Sequence, residues 1–466
     1  MKEIIDIIKK SDVKFNKLTS TFSLLLIMIL LPACEDFVDI EEPIKELSPS
    51  SVFSTDVSAS AAVLGIYSDL WDFGYEIAVH TGLSADELIN FSSDFIQQQF
   101  FLNELAVDNI RVHDLWSGLY KPIFGSNAVL ENIGASTDLS EPTRSQLEGE
   151  ARFMRAFCYL YLVNLFGEVP LITSTDYRVN SVEPRSDINE IYRLITTDLE
   201  KAQDLLGDEY LTEERVRVNK YCAKALLARV HLYLENWLDA EILATEVINN
   251  NSLYSLNSDL NQSFLANSSE AILQFFPMFP GFNTWEGYQF ILTFAPPFNV
   301  ALTEEFVNTF EVGDSRKNKW IGSVDDISGQ TFYFPFKYKI QFSSELEEYP
   351  MALGLGEQYL IRAEARAQQD NVSGAQEDLN IIRNRAGLLK TTSSDKVSIL
   401  LAIEQERSKE LFAEWGHRWF DLKRTRRTNV ILGAIKSSWK STDLVYPIPL
   451  VEITNNPFLT QNPGYN

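Results

Sequence analysis

Apolar residues recur at helical spacing over 58–72, 112–133, 144–166, 188–206, 217–234 and 237–249, and again over 357–369, 373–386 and 398–424. In 217–234, Leu226, Leu227, Val230 and Leu234 fall on one face, as a helix with one buried side requires. Short polar turns separate these segments, which predicts stacked helical hairpins. Ala228 stands twelve residues before Ala240, with Glu235-Asn236 between them, and Ala363 twelve before Ala375, with Asp370-Asn371 at the same offset. Small residues at matching offsets let two helices cross closely, and this favours tetratricopeptide (TPR)-like units.

From 252 to 350 the periodicity stops. Nine aromatics crowd into 275–298, and Pro277, Pro280, Pro296, Pro297, Gly281 and Gly287 break any long helix there. In Thr331–Tyr338, short strands fit on either side of Pro335. The fold class expected is mainly α, with helical blocks at 51–251 and 351–430. Between them lies an irregular aromatic-rich insertion, 252–350, carrying short strands and loops. An irregular tail, 431–466, rich in Pro and Asn, follows.

Flat rings with polar neighbours suit the apolar faces of sugars, whose hydroxyls need Asp, Asn, Gln or Arg beside them. The same rings equally build a core under a long insertion, and the Phe residues are assigned to that core. Trp285, Tyr288 and Trp320 stand beside Gly or polar residues and are the surface candidates. The stretch 71–101, with Trp71, Tyr75, Asp86, Glu87, Asn90 and Gln97-Gln98-Gln99, is longer than a helix connection needs. It reads either as a binding loop, which adds Trp71, Tyr75 and Asp86 to the candidates, or as a capping turn before a buried segment.

Charge narrows the partners. Forty Lys+Arg against 65 Asp+Glu give −25, which argues against nucleic acid. The N-terminus differs: Lys9, Lys10, Lys14 and Lys17 precede an apolar run, Phe22 to Leu31, then Pro32-Ala33-Cys34. The run is too short to span a bilayer, which takes roughly 20 residues, and the arrangement is that of a signal peptide over 1–33. Leu31–Cys34 resembles a bacterial lipobox, with Cys34 the lipidated first residue of the mature chain; the alternative is an incidental cysteine beside an ordinary signal. The leader's five lysines and three acids sum to +2, so the remainder carries −27. Glu35, Asp36, Asp39, Glu41 and Glu42 follow Cys34 and make 34–50 an acidic tether.

Catalytic patterns are sparse. Glu414-x-x-His417 has the spacing of one half of a di-iron site but no second half. No Gly-x-Ser-x-Gly, phosphate-binding Gly loop or His-Glu-x-x-His occurs. A glycosidase needs only two carboxylates, and spacing singles out no pair. Cys158 and Cys222 lie in apolar helical runs and read as core. The run Lys423–Arg427 follows a helix, where cations suit the dipole. No cofactor and no metal are expected.

Several segments together resemble the SusD/RagB family of surface lipoproteins that partner TonB-dependent transporters of the SusC type. They are Gly149–Phe157 running on to Leu165–Leu171, Ala223–Tyr233, Glu357–Ala365, Asp378–Gly387, Glu406-Arg407, Glu410-Leu411, Gly416–Arg424, Pro447–Pro449 and Gln461–Tyr465. The resemblance implies about four TPR-like hairpins supporting an irregular ligand-binding half in one domain, 51–466. It also implies a structural role for Gly416–Arg424, lipid anchoring at the outer face of the outer membrane, and a SusC-like partner. An oligosaccharide is the expected ligand. A peptide, as for the RagB branch, is the alternative, and a surface glycosidase or a scaffold without a small ligand are the remaining readings. No ligand-contacting residue transfers from the family, so the site candidates rest on aromatic chemistry.

Overall fold

The computed structural model describes residues 49–134 and 136–465. The chain divides into two units, Met1–Ser51 and Val52–Asn466, and the elements below belong to the second. Cys34, the leader and the tether to residue 48 lie outside the described residues.

Helix α1 (Asp56–Ser68) precedes α2 (Phe73–Ser84), strand β1 (Leu88–Asn90) and α3 (Phe95–Leu102). The long α4 (Ile110–Ile133) packs on α5 (Glu141–Phe166); α6 (Ile188–Leu205), α7 (Lys220–Tyr233) and α8 (Trp237–Ile248) follow, each against the one before. The insertion contributes β2 (Ala271–Gln274), α9 (Trp285–Phe290), β3 (Val300–Leu302), α10 (Glu304–Val307), β4 (Ile321–Asp325), β5 (Thr331–Pro335) and β6 (Met351–Gly354). The helical stack resumes with α11 (Leu355–Gln368), which packs directly on α8, then α12 (Val372–Arg385) and α13 (Lys396–Glu410). Helices α14 (His417–Arg424) and α15 (Thr428–Ile435) lead into the C-terminal segment.

Local chemistry sets many of these boundaries. Asn109, Asp187, Asn219 and Asn371 cap α4, α6, α7 and α12 by accepting first-turn N–H bonds, and Asp395 with Ser398 forms a capping box on α13. Ala228 and Ala240 are fully buried in one cluster and Ala363 and Ala375 in another, as their matching offsets predict. Charge is also buried between helices: Arg229 of α7 binds both oxygens of Glu357 of α11 at 2.7 Å, and Arg362 of α11 binds Asp378 of α12 at 2.9 and 2.6 Å. Two-pronged guanidinium pairs satisfy both partners where water is excluded.

The insertion is fastened to the helices by a four-stranded antiparallel sheet in the order β1-β3-β5-β4. Asn90 faces Val300, Leu302 faces Tyr333 and Ile321 faces Pro335. A second ribbon pairs β2 with β6.

Four expectations are corrected. The stretch 71–101 is not a binding loop and lies nearer the other reading, a turn before a buried segment, but that segment is α2, β1 and α3; eleven of the twelve α2 residues are buried, so no polar stripe marks it as a helix. The run 398–424 is two helices, broken where Ala413, Trp415 and Gly416 take positive φ. The break drops Trp415 among Phe157, Tyr161 and Phe275 and lets its Nε1–H donate to the Met351 carbonyl at 2.9 Å. No strand forms over Phe336–Tyr338, where Lys337 turns inward to bond the Glu410 carbonyl at 2.7 Å and the Glu414 carboxylate. The tail 431–466 includes the end of α15 and a short helix, Leu450–Asn455, and it returns to the core through Tyr446, whose hydroxyl lies 2.9 Å from that of Ser84.

Candidate functional site

After β2 the chain runs through Pro277 and Pro280, which withhold backbone donors and keep 275–284 extended and turning. Phe275 points into the core, while Phe276, Met278 and Phe279 are exposed. Thr284 then caps α9, its hydroxyl accepting from Gly287 N at 2.9 Å. Gly287 is required by a close approach: a Cβ there would stand 2.5 Å from the Ile340 carbonyl oxygen. That approach seats the 340–348 segment against α9. Gln341 Nε2 donates to the carbonyls of Tyr288 and Ile291, each at 3.2 Å. Asn283 holds the far end by donating to the Glu345 carbonyl and accepting from the backbone N–H groups of Glu347 and Glu348.

These two pinned segments carry a continuous cluster of rings. Phe282 contacts Trp285, Tyr288 and Phe342 at centroid distances of 5.6, 4.8 and 5.5 Å. Trp285 lies 4.9 Å from Tyr288, and Tyr288 lies 5.1 Å from Phe342. Phe279, 57% exposed, and Phe342, 62% exposed, form the outer parts of this shelf. Trp285, Tyr288 and Phe282 are half-buried between them.

The six residues singled out by sequence separate into three environments. Trp285 and Tyr288 are on the shelf. Trp71, 3% exposed, lies beneath it, 6.0 Å from Trp285 and 5.3 Å from Phe279. Tyr75 is also buried; it packs edge-on against Phe290 of α9 and accepts from Asn299 Nδ2 at 3.0 Å. Trp320 is not a surface residue: it is 1% exposed, packed on Phe264, with its Nε1–H given to the Leu260 carbonyl at 3.0 Å. Asp86 belongs to a different region, where Arg418 clasps both its oxygens at 2.8 and 2.7 Å. Conversely, assigning the Phe residues of 275–298 to the core misplaces Phe276, Phe279, Phe294 and Phe298, which are exposed, and with them Phe282, half-buried in the shelf. Residue type cannot separate these from buried Phe; the nearby prolines and glycines are the only local sign.

Under the shelf, Glu286 of α9 is buried and pushed up to about 8, first by burial and then by Asp72 and Glu414 nearby. Among the described residues its Oε2 has no hydrogen-bond partner. His417, weighed above with Glu414, is buried and pushed down to about 3 by that burial, and Glu414 is bonded to Lys337. Among the described residues no group of three or more His, Cys, Asp or Glu is placed to hold a metal ion. Rigid, flat, partly exposed rings above a packed base are suited to stacking on the apolar face of a ligand.

Comparison with known sequences is decisive for the family. A SusD-like family model, described as starch-binding associating with outer membrane, matches residues 39–232, and a SusD/RagB model, described as the SusD family, matches 304–465. The chain belongs to the SusD/RagB family.

Its SusD-like relatives include protein P25 of Formosa agariphila, 24% identical over 93% of this chain and 96% of the relative, and protein P38 of the same organism, 24% identical over 97% and 100%. A SusD superfamily protein from Bacteroides vulgatus has a TM-score of 0.79 at 18% identity, covering 89% of this chain and 100% of that one. A structure described as a laminarin binding SusD-like protein has a TM-score of 0.74 at 22% identity, covering 88% and 99%. The fold is therefore the SusD-like one, mainly helical with few short strands. Residues 276–290, which carry four of the five shelf aromatics, fall between the two SusD family segments.

Proposed function

We propose that this SusD-family protein captures an oligosaccharide at the cell surface, held to the outer membrane by lipid on Cys34, and serves as the lid of a SusC-like TonB-dependent transporter. The observation that carries the binding role is the shelf built by Phe279, Phe282, Trp285, Tyr288 and Phe342, whose rings offer flat apolar area beside solvent. Family membership supports the transporter and membrane roles, and the laminarin-binding relative supports a neutral glucan as one ligand to try. No bond is broken in this reading. Two buried acids of the insertion are engaged in holding the fold: Glu270 is paired with Arg385, and Glu348 accepts from the backbone N–H groups of Lys339 and Ile340.

The test is calorimetry against a panel containing laminarin and starch oligosaccharides, a set of peptides, and the Trp285→Ala/Tyr288→Ala double variant. Glycan heat that disappears in the double variant supports the proposal. Heat from peptides alone moves the function to peptide capture. Cleaved product from any glycan makes the protein a hydrolase instead.

A further inference from the structure

A cavity of about 840 Å³ opens between the segment after α2, the end of α3, α10, α13 and α15. Its volume falls within the roughly 300–1,000 Å³ of small-molecule sites. None of the shelf rings lines it.

The charges lining this cavity are not equivalent. Asp86 is held by Arg418, and Glu404 lies 3.7 Å from Arg418 and 3.3 Å from Arg427, so both carboxylates are already faced by guanidinium groups. Lys436 is committed to the carbonyls of Leu83 and Ser84 and to Asn103 Oδ1. Glu305 stands exposed at the rim. Lys409 differs from all of these. It lines the cavity, and no carboxylate among the described residues lies within ion-pair reach of its ammonium. Burial pulls it down to about 8, with Glu406 acting only from a distance. An unmatched cation in a partly desolvated wall favours an incoming anion.

Part of the wall is apolar, with Leu88, Leu401, Ile431 and Ile435 beside the rings of Phe101 and Phe306, and the remainder carries hydroxyl and amide side chains. Apart from Glu305 at the rim, a cation would meet acids already faced by guanidinium groups, and of the two lysines in the wall Lys409 alone has no hydrogen-bonded partner among the described residues. We propose that this cavity binds a small organic carboxylate with an apolar body, the carboxylate on Lys409 and the body along Leu401, Ile431 and Ile435. This site is independent of the aromatic shelf.

Calorimetry of the purified protein with butanoate, hexanoate and octanoate tests it, with octylamine and galacturonate as comparisons. Each added methylene that is buried should tighten binding about fourfold. Lys409→Met should weaken octanoate about tenfold or more, while Lys409→Arg stays within about threefold. Lys409→Met should melt no lower than the parent, since no direct bond is lost, and Trp285→Ala should leave octanoate affinity unchanged. The proposal is overturned by absence of octanoate heat at millimolar concentration, by octylamine binding as tightly as octanoate, or by galacturonate binding alone. Unchanged octanoate affinity in Lys409→Met overturns it as well.

Discussion

Phe342→Ala removes a ring that is 62% exposed and rests on Phe282 and Tyr288. A Phe side chain presents about 200 Å², so about 120 Å² of this one faces water. A sugar covering half of that area loses about 60 Å² of contact on truncation, worth ~1.5 kcal/mol at ~25 cal/mol per Å². The dissociation constant should then rise about tenfold. Stability should change by no more than about 1 kcal/mol, because the ring is already largely in solvent. Trp71→Ala is the contrast. That ring, 3% exposed, supports Trp285 and Phe279 from below, and its loss should cost ~3–5 kcal/mol of folding stability. Calorimetry with a bound glycan and denaturant melts of both variants separate the two effects. An unchanged affinity in Phe342→Ala, for a glycan that Trp285→Ala weakens, would take the 340–348 segment out of the binding surface. A glycan indifferent to both would refute the shelf.

Three further outcomes are expected. Gly287→Ala places a Cβ 2.5 Å from the Ile340 carbonyl, so the 340–342 backbone must move; a loss of ~1–3 kcal/mol in melts should accompany weaker glycan binding as Phe342 leaves Tyr288. Glu286 holds its proton up to about 8 when folded against 4.5 when unfolded, so the unfolded chain releases the proton first and stability falls as pH rises between these values. Glu286→Gln removes this contribution and should gain ~1–3 kcal/mol on the parent at pH 8 relative to pH 5 in urea titrations; a difference independent of pH refutes the assignment. Cys34→Ala should leave the precursor unprocessed and unlabelled by a palmitate analogue, and normal labelling would remove the lipid anchor.

Helices were legible wherever one face was buried and the other wet. Helix α6, buried along Ile191, Ile195, Leu199 and Ala202, follows directly from spacing, because burial on one side leaves a 3.6-residue period in the sequence, and the Ala228/Ala240 and Ala363/Ala375 crossings follow from their matched offsets. Helix α2 was not legible, since a segment buried on nearly every side carries no period. The break at Ala413–Gly416 was hidden for a related reason: the gain from burying Trp415 among three aromatic rings outweighs continuing the helix, and that gain depends on residues distant in sequence.

The aromatic shelf was half legible. Composition located it within the insertion, and Trp285 and Tyr288 lie on it. Trp320 and Tyr338 lie outside the shelf although they share its local texture, because both are sealed against Phe264. Phe342 joins it through the Gly287–Ile340 approach and the Gln341 bonds, contacts that link residues 50 or more positions apart.

By itself the sequence determined the helical scaffold and the family, since each is written in local periodicity or motif. Only the tertiary structure decided which rings face water, which carboxylates are already paired, and that Asp86 lies on a cavity apart from the shelf. Exposure and pairing are properties of what packs against a residue, and those neighbours come from elsewhere in the chain.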